Sequence, residues 1–563
     1  MYSIYEKIRD QIEKALHKAL SAAIAEGKLP EMDLPAVLLE KPREEAFGDF
    51  STNLAMQMSK QARKAPVQIA RTLLEHLDTA GTYITKVEVA GPGFINFYLD
   101  NQWLYETLDL INARGEHYGE VNIGNGEKVM VEFVSANPTG PLHMGNARGG
   151  ALGDCIASVL EKSGYRVTRE FYVNDAGNQI EKFGASLEAR YLQQIYGEEN
   201  VPFPEDGYQG EDITDHARNY LNEFGKELAD KPSEERRRVL VDYALPKNLK
   251  MIEEGLTRYG IRYDVWFRES SLYHGEVDET LSHLKENGYV IEKDGALWLS
   301  GSKTGLEKDE VLVRKNGLPT YMAADIAYHR NKFIKRGFDR VINLWGADHH
   351  GHVARMKAAM EAFGISKDRL QIVLFQLVRL YRNGEIARMS KRTGRAITLG
   401  DLLDEVGVDA ARFFFNLKTS GSHLDFDMDL AVEQSNNNPV YYVQYAHARI
   451  CNILKKLAEE NIVPVPCEQV DKTLLVQPEE IALMKRLAQY PEEMKLSAQT
   501  LEPSRLTRYV MDVASDFHSF YNACRVKGEE EPLLQARLLL VRCTLTVIRN
   551  VLDLIRIQAP EKM

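Results

Sequence analysis

Cysteine is scarce in this 563-residue chain: there are five, at 155, 451, 467, 524 and 543, and no C-x-x-C pair. That spacing offers neither a disulfide framework nor a zinc site, so a reducing, cytoplasmic setting with no metal centre is expected. Long hydrophobic runs are missing too. No apolar stretch reaches the roughly 20 residues of a membrane span, and no membrane association is expected. The N-terminal helical segment carries Glu6, Asp10 and Glu13, which argues against a signal or transit peptide. No internal repeat or low-complexity stretch occurs. Excess positive charge is also lacking: the formal net charge is −12. A local basic face on an acidic protein can still bind RNA, so this excludes nothing. What is present, 44% hydrophobic and 27% charged residues, describes an ordinary globular chain whose length suggests about three domains.

Residues 1–115 read as a small α+β domain. Ile4, Ile8, Ile12, Leu16, Leu20 and Ile24 recur every four residues, one apolar stripe on a long helix ending near Gly27. Short β-like pieces at 36–39, 84–90 and 94–99 surround a helical stretch at 66–77, with Gly91-Pro92-Gly93 as a turn. The segment Phe47-Gly48-Asp49-Phe50-Ser51-Thr52-Asn53 reads, from its residues, as a loop with a helix N-cap at Ser51 or Thr52; the alternative is an RNA contact.

The chain is organised around Val129 to Asp154, VMVEFVSANPTGPLHMGNARGGALGD. A mostly apolar run to Val134 has the composition of a buried strand. A loop follows, then a helix with Leu152, Ile156, Val159 and Leu160 on one face. Strand, glycine-bearing turn and helix is an arrangement that aims backbone N–H groups and a helix dipole at an anion. A tight βα turn without a ligand would use the same residues. Further β and α units (a strand at 166–173, the helix after Asn174-Asp175-Ala176-Gly177-Asn178, strands at 341–345 and 370–377) argue for a parallel, doubly wound sheet over 116–407. An acidic, charged insertion lies around 195–300, and Lys315-Asn316-Gly317 after Val311–Arg314 marks a hairpin turn. His349, His350 and His352 sit in a loop beside Asp348. Substrate or nucleotide contact ranks there above a metal, with helix capping third. Residues 408–563 read as a bundle of four or five helices. Its segment Tyr441-Tyr442-Val443-Gln444-Tyr445-Ala446-His447-Ala448-Arg449 puts aromatic and donor groups along one helix, suited either to core packing or to stacking unpaired bases.

The turn His143-Met144-Gly145-Asn146 is similar to the HIGH signature of class I aminoacyl-tRNA synthetases. Arg388-Met389-Ser390-Lys391-Arg392 resembles their KMSKS loop and follows it in the expected order. Asn146 and Arg388 depart from the signatures but keep hydrogen-bond donors. The flanking text (Val131 to His143, Thr320 to Arg330, Trp345 to His352, Gly407 to Phe415 and the terminal APEKM) resembles arginyl-tRNA synthetases over essentially the whole chain.

That resemblance implies a Rossmann-type catalytic domain between an N-terminal tRNA-contacting domain and a helical anticodon-binding domain, acting as a monomer. It implies arginine activation by ATP with Mg²⁺, transfer to tRNA(Arg), dependence of activation on bound tRNA, and no tightly bound cofactor. His143, Asn146 and Lys391 would be catalytic, and Gly145, Met389 and Ser390 would join them around ATP. Arginine would meet Glu132 and Asp325 at its guanidinium, a planar cation that needs carboxylates, with Tyr321 on the same helical face as Asp325. Ser135, Asn137 and His349 would hold its amino and carboxylate end. On residues alone, Glu132 reads as a salt-bridged strand end and Asp325 as a helix N-terminal charge. Phe50, Tyr441, Tyr445, Arg449 and Met563 would contact tRNA.

Overall fold

The computed structural model describes residues 3–42, 44–387 and 397–563. Helix α1 (Ile4–Ala25) starts at Ser3, whose hydroxyl accepts from the Tyr5 N–H, and buries the stripe from Ile4 to Leu20. A three-stranded antiparallel sheet follows, with β1 (Phe50–Thr52), then helices α2 (Leu54–Ala62) and α3 (Pro66–Glu75), then β2 (Ile84–Ala90) and β3 (Phe94–Leu99), in the order β1-β3-β2. Helix α4 (Gln102–Arg114) leads out of it. Two expectations are corrected here. The piece at 36–39 is not a strand; its neighbour Glu40 makes only an isolated bridge to Ser51. The segment read as a capped loop is itself strand β1, too short to show an alternating pattern and buried at all three positions.

The central sheet is fully parallel, in the order β11-β10-β4-β5-β6. The chain enters it in the middle at β4 (Lys128–Glu132), crosses by α5 (Met144–Lys162) to β5 (Arg166–Val173), and leaves through the insertion helices α6 (Asn178–Tyr196), α7 (Glu211–Phe224) and α8 (Ser233–Arg258) to β6 (Val265–Arg268). Helix α9 (Glu276–Glu286) and a small antiparallel sheet of β7 (Val290–Lys293), β8 (Ala296–Leu299) and β9 (Glu310–Val313) follow, with the single turn α10 (Gly301–Thr304) between β8 and β9. The Asn-Gly turn after β9 returns only as a bridge between Val313 and Pro319, and the chain goes on into α11 (Tyr321–Arg330). Strands β10 (Arg340–Gly346) and β11 (Leu370–Phe375), separated by α12 (His350–Glu361), then add to the opposite side of β4. The reversal of strand order between β4 and β10 leaves a crevice at their C-terminal ends, where doubly wound sheets bind ligands.

Helix α5 is buried from Ala147 through Leu160 on every side, not along one face. It lies so close to the sheet that a Cβ built on Gly153 would sit 2.3 Å from Phe133 Cγ. Gly153→Ala, which in an exposed helix would add stability, is therefore expected to cost ~1–3 kcal/mol through overpacking. A lower Tm for the variant checks this.

Beyond the central sheet, β12 (Val378–Arg382), β13 (Glu385–Ile386) and β14 (Leu424–Asp427) form a third small sheet around α13 (Leu399–Val406), α14 (Val408–Phe415) and α15 (Met428–Val432). The expectation of helix from Val408 onward is corrected by β14, which pairs parallel to β12. The remainder is a bundle of α16 (Pro439–Glu459), α17 (Pro478–Ala488), α18 (Tyr490–Thr500), α19 (Ser504–Ala523) and α20 (Glu531–Leu554). Pro491 stands in the first turn of α18, where its missing N–H costs nothing.

Candidate active site

A cavity of about 1130 Å³ opens at the crevice between β4 and β10. One end is the start of α5. His143 is the N-cap residue, and its backbone N–H donates to Asn146 Oδ1 at 3.1 Å, which fixes the asparagine against the first turn. Both side chains line the cavity with Thr398 and Asp401. A Cβ on Gly145 would meet nothing within 4 Å, so no wall stands over that turn. The Met144 N–H donates to the Ile397 carbonyl at 3.3 Å, and the Leu399 N–H donates to that of Leu142 at 2.9 Å. The residues just after the second signature are thereby laced to the first. Met389, Ser390 and Lys391 lie outside the described residues.

The middle of the cavity follows the end of β4. Val134 and Ser135 hold φ of +69° and +44°. Left-handed backbone at a β-branched valine is strained, and such strain gathers at functional sites. Ser135 Oγ donates to Glu132 Oε1 at 3.0 Å and accepts from the Tyr172 N–H at 3.1 Å. Asn137 and His349 line the cavity, the His349 side chain being exposed. Glu132 also reaches the wall, but its Oε2 is 2.5 Å from the wholly buried Lys332 Nζ, so its charge is already matched.

At the far end stands Asp325, 3.0 Å from His352 Nε2. Tyr321, 65% exposed, does not line the cavity; its ring lies 6.2 Å from that of His352. Close to Asp325 is a residue that sequence reasoning missed, the buried Glu269. It accepts from the Tyr273 hydroxyl at 3.1 Å and, with the Asn174 amide turned over, from Asn174 at 2.7 Å. Burial raises its pKa; the Tyr273 hydrogen bond opposes this and the Asp325 charge adds to it. Among the described residues neither carboxylate has a lysine or arginine partner. Asp325 lines the cavity and Glu269 lies just outside that lining, against Asn174, so this end favours a cation. Glu269 directly follows β6, the position from which such sheets present ligand groups. The four residues VWFR, inside a charged insertion, hid that strand. Among the described residues, no group of three or more His, Cys, Asp or Glu side chains is placed to hold a metal ion.

The helical bundle carries a second surface. Tyr441 and Tyr445, one turn apart on α16, are half-buried and stack 6.2 Å apart at 6°. His518 lies 6.0 Å from Tyr445 and 5.1 Å from Tyr442, and the Arg449 guanidinium sits 4.4 Å over the Tyr521 ring. Burial, helped by the Arg449 charge, pushes the His518 imidazole down to about 4, so it stacks as a neutral ring. Met563 is exposed and shares a cavity of about 630 Å³ with Tyr441. Phe50 is corrected: it is 5% exposed and packs edge-on against Tyr5, 5.3 Å away, with Trp103 beyond. It is a core ring with no face to offer a base. The exposed aromatic of that segment is Phe47.

Three family models match the chain in succession. They are the arginyl tRNA synthetase N-terminal domain at 6–99, the class I (R) tRNA synthetase catalytic domain at 107–435 and the DALR anticodon-binding domain at 443–563. The arginine–tRNA ligase of Acetivibrio thermocellus is 65% identical over 564 aligned residues, and that of Ruminiclostridium cellulolyticum 64%, each covering 100% of both chains. The Thermus thermophilus arginyl-tRNA synthetase structure shares the fold at a TM-score of 0.74 and 24% identity, over 98% of this chain and 100% of that one. A switch-point cavity with an anion end and a cation end, at this identity over the full length, leaves one assignment: the chain belongs to the class I arginyl-tRNA synthetase family.

Proposed function

We propose that the chain is an arginine–tRNA ligase. The observation that carries this reading is the cavity's polarity: at one end Asp325, backed by the buried Glu269 and, among the described residues, without a lysine or arginine partner, and at the other the N-terminus of α5 with His143 and Asn146. A substrate with a side-chain guanidinium and a carboxylate to be activated spans these ends in one orientation only. The guanidinium takes Asp325, backed by Glu269; Ser135, Asn137 and His349 hold the amino and carboxylate groups. An arginine carboxylate oxygen then attacks the α-phosphorus of ATP, the α–β anhydride bond breaks, and pyrophosphate leaves. A hydroxyl of the tRNA terminal ribose next attacks the adenylate carbonyl, losing its proton as AMP departs. No enzyme nucleophile is needed. The chain contributes positioning and donors aimed at phosphate charge, from His143, Asn146 and the α5 dipole and, by its motif, from Lys391 with Met389 and Ser390. Magnesium would enter on the nucleotide's own phosphate oxygens.

ATP–pyrophosphate exchange with each amino acid in turn, with and without total tRNA, tests the reading: arginine alone should support exchange, and only with tRNA present. Exchange with another amino acid, or none with arginine, would refute it.

The stacked strip on α16 suits unpaired anticodon bases. Tyr445→Ala and Arg449→Ala are each expected to weaken tRNA binding, the tyrosine by ~1–3 kcal/mol per lost base stack, with Tm and arginine KM close to wild type. Early melting with normal tRNA affinity would make these residues core instead.

A further inference from the structure

Beneath the cavity lies a layer of buried polar groups that the reaction above leaves unused. In the parallel register Asn343 of β10 sits beside Glu132 of β4, and Glu132 beside Glu170 of β5. Three polar side chains thus share one rung and one face across the middle of the sheet. A single stretch of chain answers all three. Tyr328, Lys332 and Arg336 are spaced four apart, and a π-helical turn at Asn331–Lys335 carries Lys332 inward. Such turns are frequent at functional sites. The Tyr328 hydroxyl donates to Glu170 Oε1 at 2.6 Å, and Arg336 pairs with the same carboxylate. Lys332 Nζ donates to Glu132 Oε2 at 2.5 Å and to Asn343 Oδ1 at 3.1 Å. Asn343 Nδ2 in turn lies 2.7 Å from His329 Nε2, and His329 Nδ1 lies 2.8 Å from the backbone carbonyl of Asp325. This order of donors needs His329 neutral with its proton on Nδ1. Burial, then the Lys332 charge, holds its pKa well below the usual histidine range, in agreement.

The consequence concerns how many anionic places the cavity offers. Without Lys332 a cation entering it would meet Glu132 in the middle as well as Asp325 and Glu269 at the end. We propose that Lys332 is a positioning residue: by neutralising Glu132 it keeps the middle of the wall from holding the substrate's cation, which binds instead at Asp325, backed by Glu269, with its carboxylate facing the start of α5. The proposal rests on the arginine reading of the cavity. It places Glu132 in the wall beside the substrate and removes it from the guanidinium's ligands.

The test is arginine-dependent pyrophosphate exchange, with tRNA present, in the full chain and in Lys332→Met, Glu132→Gln and the double variant. Lys332→Met should lower kcat for arginine-dependent exchange by roughly thirtyfold or more, with the arginine KM lowered in step and the ATP KM unchanged, because arginine held at Glu132 is bound without reacting. The cause of that defect is the now unpaired Glu132, which competes for the guanidinium. Glu132→Gln combined with Lys332→Met should bring kcat and the arginine KM back to within about threefold of wild type. A folded Lys332→Met with wild-type kcat and arginine KM would overturn the proposal, leaving the lysine a structural group. A double variant as impaired as a direct-ligand loss would overturn it as well, since Glu132 would then hold the guanidinium itself. Should Lys332→Met fail to fold, the double variant decides alone by the same criterion. No arginine-dependent exchange in the unmodified chain would instead sink the arginine reading.

Discussion

Replacing Asp325 by asparagine is expected to leave the fold intact and lower kcat/KM for arginine by roughly thirtyfold to several thousandfold, the equivalent of ~2–5 kcal/mol for removing one partner of a desolvated charge pair. The amide keeps the shape and one acceptor but not the charge, leaving Glu269 alone against the guanidinium. Because the Asp325 side chain is partly exposed and, among the described residues, held by His352 alone, its loss should leave Tm nearly unchanged. Steady-state pyrophosphate exchange across arginine concentrations, beside a thermal melt, measures both. An unchanged kcat/KM would remove Asp325 from the pocket, and with it the polarity that orients the substrate.

The largest loss of stability is expected from Arg412→Met. Arg412 is wholly buried and meets three parts of the chain at once. Its Nη2 donates to Asp154 Oδ2 on α5 at 2.6 Å, its Nη1 to the Tyr259 carbonyl past α8 at 3.1 Å, and its Nε to the Ile555 carbonyl past α20 at 2.9 Å. Methionine fills much of the volume but leaves Asp154 to Arg169 alone, 3.3 Å away, and strands two carbonyls. Breaking a buried pair in this way costs ~3–5 kcal/mol. Removing both charges in Arg412→Met/Asp154→Leu should recover a good part of it, since the cost lies mainly in the abandoned carboxylate. Denaturant midpoints of the two variants check this; an undisturbed midpoint in the single variant would show that Asp154 is sufficiently answered by Arg169.

How much of this was legible beforehand depends on sequence range. The long apolar runs at β4, β5, β10 and β11 and the four-residue stripe of α1 declared themselves, because period and burial act within a few residues. Three of the shortest strands did not: β1, β6 and β14, of three or four residues each, carry too few positions to show a pattern. Losing β6 also lost Glu269. The two signature turns were readable as text, and the pairing of Leu142–Met144 with 397–399 places their flanks together. Lys332, in contrast, answers Glu132 across 200 residues, and no local rule pairs them. Phe50 was misjudged for the same reason: an aromatic among polar neighbours looks exposed until Tyr5 and Trp103 fold over it.

Helix α5 has four glycines among nineteen residues. Each lowers intrinsic helix propensity by ~1 kcal/mol relative to alanine, so this segment would not hold a helix in isolation. Gly149, Gly150 and Gly153 allow the helix to press against its neighbours, and only the assembled domain stabilises it. Helix and strands are therefore stable only together, so the turn at His143 exists as a binding site only in the assembled central domain. Because that site exists only in the assembled state, a nucleotide bound there favours the folded domain as a whole by mass action, not merely the local turn it touches.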